Sequence, residues 1–263
     1  MPHALFVLAH QDDEIAMAAR MKHLLREGWT LSVVYLTNGI TPEVRDDEAR
    51  AALSCIGVDL ARVHFFGFPD GSLVDHLDEA FEMIERLCDG GWQMADGGSA
   101  LRHPPSAIRH PSSIVDAVYC LAWEGGHHDH DASHLIAVAL ATRRNIPCVE
   151  MPIYHGHRTP GAVFRSFAPL GDGWAARRIT MREGLDVALL CRFHPSQRRT
   201  WMALLPEALL RLIVGRKEWT RPARIERLRT KPHAGRLYYE RRFGVTWTDF
   251  EAKSRSFVAA HLP

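Results

Sequence analysis

Two short clusters carry most of the chain's capacity for chemistry. Ala9-His10-Gln11-Asp12-Asp13-Glu14 sets one imidazole and three carboxylates in five consecutive positions. Adjacent Asp12 and Asp13 repel, and each raises the other's pKa unless a cation holds them; a divalent metal is the natural cation for imidazole plus carboxylate. The same residues would also suit a helix N-terminus, where the dipole favours acidic side chains and Asp12 could act as a cap. The second cluster, Glu124-Gly125-Gly126-His127-His128-Asp129-His130-Asp131-Ala132-Ser133-His134, places four histidines in eight residues. It could be a solvated histidine-rich turn, or it could meet the first cluster around one ion although 120 residues separate His10 from His130.

Convergence requires a scaffold, and the flanking sequence supplies one. Ala4 to Ala9 is an apolar run with strand character, and Ile15 to Arg26 has helical spacing up to Gly28. Leu31 to Leu36 reads as a buried strand ending at Thr37-Asn38-Gly39, Glu43 to Ile56 as a helix closed by Gly57, and Val63 to Phe66 as a short strand. Asp75 to Cys88 reads as a helix, and Asp89 to Ser113 as Gly- and Pro-rich loop with one embedded element. Strand Ala117 to Ala122, a helix from about Asp131 to Arg144 and strand Cys148 to Ile153 complete the alternation. This order predicts an α/β fold, a mostly parallel Rossmann-like sheet with helices on both faces. Beyond Tyr154 the signal is weaker: an edge strand at Trp174 to Thr180, helices at Gly184 to Cys191 and Gln197 to Val214. With no repeat and no linker, 1–263 reads as a single domain, 1–155 forming the core and 156–263 a C-terminal cap. Ligands of such sheets lie beyond the carboxyl ends of the strands, where both clusters fall.

The ordered pair of clusters resembles the PIG-L/LmbE-like de-N-acetylase family, whose signatures are Ala-His-Pro-Asp-Asp-Glu and, later, Gly-His-Pro-Asp-His. The resemblance implies His10, Asp13 and His130 as ligands of a catalytic ion, Zn2+ or Fe2+, and Asp12 as general base. It implies His127 as the group that stabilises the oxyanion or protonates the leaving amine, with Asp129 orienting it. Arg45 and Asp70-Gly71 follow the family's order and would bind substrate hydroxyls; His194-Pro195-Ser196-Gln197 also resembles a family segment. Read on the sequence alone, Arg45 could pair with Asp46 or Glu48, and Asp70 could simply start a turn. Gln11 and His128 stand where the family has proline, which loosens the backbone and makes His128, like His134, a competing ligand. The implied reaction is hydrolysis of an N-acyl group, N-acetyl above all, on an amino sugar or glycoconjugate, a small molecule or a glycolipid. A non-catalytic metal-binding module would keep the ligands without needing Asp12 and His127.

Composition bounds the alternatives. With 46% hydrophobic and 24% charged residues the chain is an ordinary globular protein. The N-terminus lacks the basic start and length of a secretory leader, and no apolar run reaches membrane-spanning length. Five scattered cysteines without a Cys-x-x-Cys pair suggest neither disulfides nor a thiolate site, which fits a cytoplasmic protein. No Gly-x-Gly-x-x-Gly follows a strand and no Walker motif occurs, which argues against a nucleotide site, and no nucleic-acid partner is expected. Residues 1–150 carry 11 Lys and Arg against 22 Asp and Glu, and residues 151–263 carry 21 against 9. Two oppositely charged halves folding together account for this, as would a basic surface for an anionic substrate. Trp201 to Arg229, apolar and then basic, reads as a core-facing helix with a solvated basic end, and would also suit weak contact with an anionic membrane. Oligomeric state is not legible.

Overall fold

The computed structural model describes residues 1–39, 41–90 and 114–262. The expected loop from Asp89 to Ser113 therefore lies outside the described residues beyond Gly90. From the N-terminus, β1 (His3–Leu8), α1 (Glu14–Arg26), β2 (Thr30–Asn38), α2 (Pro42–Ile56), β3 (Val63–Pro69), α3 (Leu77–Cys88), β4 (Ala117–Leu121), α4 (His128–Arg144) and β5 (Cys148–Met151) alternate as the sequence pattern requires. Gly57 closes α2 in the left-handed conformation with φ 102°, which a residue without Cβ adopts at no steric cost. The second half adds β6 (Tyr154–His155), β7 (Arg165–Ser166), β8 (Ala175–Arg178), α5 (Met181–Ala188), α6 (Arg198–Leu209), β9 (Lys217–Pro222), α7 (Ile225–Leu228), α8 (Tyr238–Arg242) and α9 (Trp247–His261).

The fold is α/β. The central sheet has the order β3-β2-β1-β4-β5-β9-β8, parallel from β3 to β5 and antiparallel at the β9-β8 edge. The chain runs outward from β1 to β3 and then returns to lay β4 on the other side of β1, so strand order reverses between β1 and β4. That reversal opens a crevice at the carboxyl ends of those two strands. Both chemical clusters leave the sheet there. One face of the sheet buries Phe6, Tyr35 and Tyr119 against α1, α2 and the later Trp201, Leu204 and Leu212. The other buries Val7, Val34 and Val118 against α3, α4 and α9, with Phe81, Phe250 and Phe257 filling the layer.

Several expectations for the second half change. α4 starts at His128 rather than Asp131, because the His127 ring caps it: His127 Nδ1 accepts from the Asp129 N–H at 3.1 Å, a role usually read from Ser, Thr, Asp or Asn. α5 starts at Met181 rather than Gly184, fixed by a capping box between Thr180 and Glu183. The helix expected over Gln197 to Val214 stops at Leu209 and continues as a wide turn over Leu210–Gly215, after Pro206 removes one N–H from its ladder. β9 runs through the segment expected to be a solvated basic end: Arg221 is buried and paired with Glu150, and Glu218 is buried between Arg20 and Arg177. Among the described residues, no helix is long and apolar enough to cross a membrane.

Candidate metal centre and active site

The first cluster turns sharply out of β1. Asp13 takes the N-cap position of α1, but its carboxylate is turned back: Oδ2 accepts from the amides of Ala9 at 3.1 Å and His10 at 2.7 Å. Its Oδ1 is left facing His130 Nε2 at 3.1 Å. His10 Nδ1 lies 3.1 Å from the same His130 nitrogen and 3.7 Å from Asp13 Oδ2. Two imidazole nitrogens and a carboxylate, all buried, thus converge. In a tetrahedral zinc site with bonds of about 2.0–2.1 Å, neighbouring donors sit roughly 3.3 Å apart. The separations match, and the residue types suit Zn2+ or Fe2+, so the residues present fit a divalent ion.

A second possible group joins His10 to His127 and Asp129. Its carboxylate is already committed: Asp129 Oδ2 accepts from the Gly71 amide at 2.6 Å and Oδ1 from the Leu73 amide at 3.1 Å, which anchors the Asp70-Gly71 turn to the start of α4. The first group is therefore the better receptor. The competing ligands are also spoken for. His128 Nε2 donates to the Gly71 carbonyl at 2.8 Å, and His134 Nδ1 donates to the Leu121 carbonyl at 2.7 Å. Gln11 restrains its loop in another way than proline would: its amide donates to the Thr37 carbonyl at 3.0 Å and to Asp46 Oδ1 at 2.8 Å.

The electrostatics favour a cation. Burial lowers the His10 pKa, but Asp129, Asp70 and Asp13 surround the ring and raise it well above the usual value. Burial raises the Asp13 pKa, yet His130 and His10 bring it down to about 2, so this carboxylate is anionic at neutral pH. Asp12 differs from its neighbour. Burial and then Asp13 push its pKa up to about 7, against Arg45 and His194. Its backbone has φ 135°, a region a side-chain-bearing residue enters only under constraint. The constraint is visible: Glu14 Oε2 accepts from the Asp12 amide at 3.0 Å, and Trp201 Nε1 donates to Asp12 Oδ2 at 3.1 Å.

Arg45 is buried and turned away from Asp46 and Glu48, the alternative partners its own helix offered. Its Nη2 donates to the Gln11 carbonyl at 2.8 Å and lies 3.6 Å from Asp12 Oδ1, while Nη1 is 3.8 Å from Asp70 Oδ2. Asp70 is partly exposed at the rim, with Oδ1 3.2 Å from His10 Nε2. His127 lies across His10, ring centroids 4.7 Å apart. Its Nδ1 accepts a backbone hydrogen bond, so the neutral ring carries its proton on Nε2. Burial, then the neighbouring His10, holds its pKa well below the usual range. What orients His127 is thus the amide of Asp129, while the Asp129 carboxylate serves the Asp70-Gly71 turn and His10 Nε2, 3.3 Å away. The eight residues singled out in the sequence all gather at this crevice.

Glu14, Tyr35, Glu48, His194 and Trp201 also shape the site, and none was given a role there from the sequence. Glu14, fully buried, accepts from the Tyr35 hydroxyl at 2.7 Å and from His194 Nε2 at 2.6 Å besides holding Asp12. Burial lowers the His194 pKa, but Glu14 outweighs that and raises it. Glu48 accepts from the Ser196 amide and hydroxyl, at 2.9 Å and 2.5 Å, securing the segment that presents His194. The only signal of this in the sequence is the His194-Pro195-Ser196-Gln197 stretch; for Trp201 and Tyr35 there is none.

Solved structures share this architecture at low identity. The zinc-inhibited form of teicoplanin deacetylase superposes with a TM-score of 0.59 at 15% identity, covering 84% of this chain and 97% of that one. N,N'-diacetylchitobiose deacetylase from Pyrococcus horikoshii gives 0.54 at 14% identity, covering 84% and 83%. The 4-carboxy-2-hydroxymuconate hydratase from Pseudomonas putida KT2440 gives 0.50 at 13%, covering 85% and 97%. These likenesses show the fold, and the hydratase shows that the fold houses more than one reaction. No curated protein matches the chain in sequence. The family model described as GlcNAc-PI de-N-acetylase, PIG-L, matches residues 5–141, a span that contains both clusters and the crevice between them, and the chain belongs to that family.

Proposed function

We propose that the protein is a metal-dependent hydrolase that removes an N-acyl group, N-acetyl above all, from an amino sugar or glycoconjugate. The observation that carries this reading is the convergence of His10, Asp13 and His130 beside an Asp12 held back from ligation by its own backbone and by Trp201. His10, Asp13 and His130 would hold the divalent ion, zinc or iron(II), which supplies Lewis acidity towards the acyl carbonyl and acidifies water.

Asp12 takes the proton of the attacking water. Its pKa of about 7 suits a group that must accept a proton and then release it to the departing amine. Trp201 and Arg45 keep the carboxylate in place. His127 donates from Nε2 to the developing oxyanion; a ring so reluctant to hold a second proton is a hydrogen-bond donor rather than the acid for the amine. Arg45, buried beside Asp12, and Asp70, at the rim, bind substrate hydroxyls, and Asp129 fixes the turn that carries Asp70. The products are a carboxylate and a free amine.

Metal content, together with amine release from a panel of N-acetylglucosaminides before and after chelation, tests the reading. About one ion per chain and release abolished by chelation are expected. Asp12→Asn should keep the ion but lose roughly 10²-fold or more in turnover, the scale of general-base catalysis. Normal turnover by that variant would mean a non-catalytic role for Asp12, and failure to take up any metal would remove the site.

A further inference from the structure

A second polar cavity, of about 770 Å³, lies on the other side of β6 from the metal centre. Successive strand residues point to opposite faces. Tyr154 turns its ring to His130, centroids 5.4 Å apart, while the next residue, His155, lines the cavity. His155 pairs across the two-stranded ribbon with Arg165, so both side chains stand on that same face.

The lining is cationic. Arg211 is neutralised by Glu207 and Lys231 by Glu240, while Arg221 and Arg227 share the one buried carboxylate of Glu150. Arg158 and Arg165 are exposed at the mouth and have no carboxylate within ion-pair distance among the described residues. Asp172, the one carboxylate in the wall, projects into solvent near Arg227.

Three imidazoles complete the wall. His155 is 3% exposed and accepts the His157 amide on Nδ1 at 3.2 Å, which places its proton on a buried Nε2 that forms no well-aligned hydrogen bond, with the Ala168 backbone close by. His233, 9% exposed, donates from Nδ1 to the Ala234 carbonyl at 2.8 Å and likewise leaves a buried Nε2 unsatisfied. The His157 and His233 rings are 4.8 Å apart. Three imidazoles would ordinarily suggest a metal, but their donor atoms form no converging group among the described residues, and the flanking arginines repel a cation. Burial above all, with His233, His157 and Arg165 nearby, holds the His155 pKa down to about 4, so the ring is neutral at neutral pH.

We propose that this cavity binds the phosphate group of a phosphorylated small molecule or lipid headgroup, with Arg158 and Arg165 clamping the anion at the mouth and the buried His155 Nε2–H donating to it below. Guanidinium forks match phosphate oxygens two at a time, and the volume admits a ligand larger than phosphate itself. The inference does not depend on the hydrolase reading, since its test reads binding rather than turnover.

The full-length, metal-loaded protein is titrated with inorganic pyrophosphate in a calorimeter at low salt. One site per chain is expected, and the double variant Arg158→Gln/Arg165→Gln should bind at least tenfold more weakly, the loss of about one charge-assisted hydrogen bond. Both side chains are exposed, so the variant should melt like the parent. Co-sedimentation with phosphatidylcholine vesicles containing phosphatidic acid separates the sources: sedimentation reversed by pyrophosphate points to a lipid phosphate, and pyrophosphate binding without sedimentation to a soluble one. No heat with pyrophosphate, or equal affinity in the double variant, would overturn the proposal.

Discussion

Replacing Asp12 by glycine and, separately, by alanine isolates the backbone strain at the site. Both variants delete the same carboxylate, leave Trp201 Nε1 without its acceptor and relieve the repulsion with Asp13, so those contributions cancel when the two are compared. They differ in whether a Cβ must occupy φ 135°. A residue held in such a region costs on the order of 1–3 kcal/mol, which glycine escapes. Glycine also gives the unfolded chain more freedom, a penalty of roughly 0.4–1 kcal/mol relative to alanine. The difference predicts Asp12→Gly to be more stable than Asp12→Ala by roughly 0.5–2 kcal/mol, although at an unstrained position the order is the reverse. Urea unfolding of both metal-free variants, with equal slopes, measures it. Amine release should be lost in both. Alanine equal to or more stable than glycine would refute the claim that the protein holds Asp12 in a strained conformation for its chemistry.

Other perturbations test the surroundings. Gly126→Ala would put a Cβ 2.1 Å from the Tyr154 carbonyl oxygen, a backbone atom that cannot swing aside, so roughly 1–3 kcal/mol of unfolding free energy should be lost along with activity as His127 shifts; a variant melting like the parent would show the turn to be pliable. Glu124, whose Oε1 accepts from the amides of Ile153 and Tyr154 at 2.8 Å, has its pKa pushed up to about 8 by burial. Its proton is bound more tightly in the folded state, so its contribution to stability is complete below about pH 4.5 and fades as pH rises through 8; Glu124→Gln should gain on the parent between pH 6 and 8.5 by up to about 2.5 kcal/mol, and parallel pH curves would contradict this. His130→Ala should bind no metal in elemental analysis while remaining folded by circular dichroism, and full metal occupancy would move the site to the alternative group of His10, His127 and Asp129.

What the sequence disclosed and what it concealed follow from the range of the interactions. The parallel strands are continuous apolar runs, the helices between them have local periodicity, and the two clusters are compact, so α1 through β5 could be read within short windows. Arg45 and Asp70 became visible only through family order, because nothing local directs Arg45 towards Asp12 rather than towards its helical neighbours. Glu14 looked like one more acid at a helix start; its partner His194 is 180 residues away. α9 escaped because few large apolar residues, chiefly Phe250 and Phe257, mark its buried side. β9 escaped because its inward residues are Glu218 and Arg221, charges that resemble surface until Glu150, Arg20 and Arg177 are placed beside them. The opposite charges of the two halves are partly spent in such contacts, including Asp75 with Lys253, and partly concentrated around the cavity behind β6.

The reversal of strand order beside β1 also bears on how an ion would enter the proposed site. β1 and β4 are hydrogen-bonded neighbours in register from Ala4 with Ala117 to Val7 with Cys120, so their pairing closes a loop of more than a hundred residues. Long-range pairing of this kind is slow, because the entropy of closure is lost before any contact rewards it. Two of the donors hang from one end of that loop and the third from the other. A nascent chain that stops before His130 can build β1, β2 and β3 yet has no complete receptor, and an ion bound afterwards acts as a clasp between the first strand of the sheet and the fourth. Metal uptake would therefore read out the β1–β4 strand pairing, and a chelator should loosen the seam between β1 and β4 before it disturbs the hairpin-free run from β1 to β3.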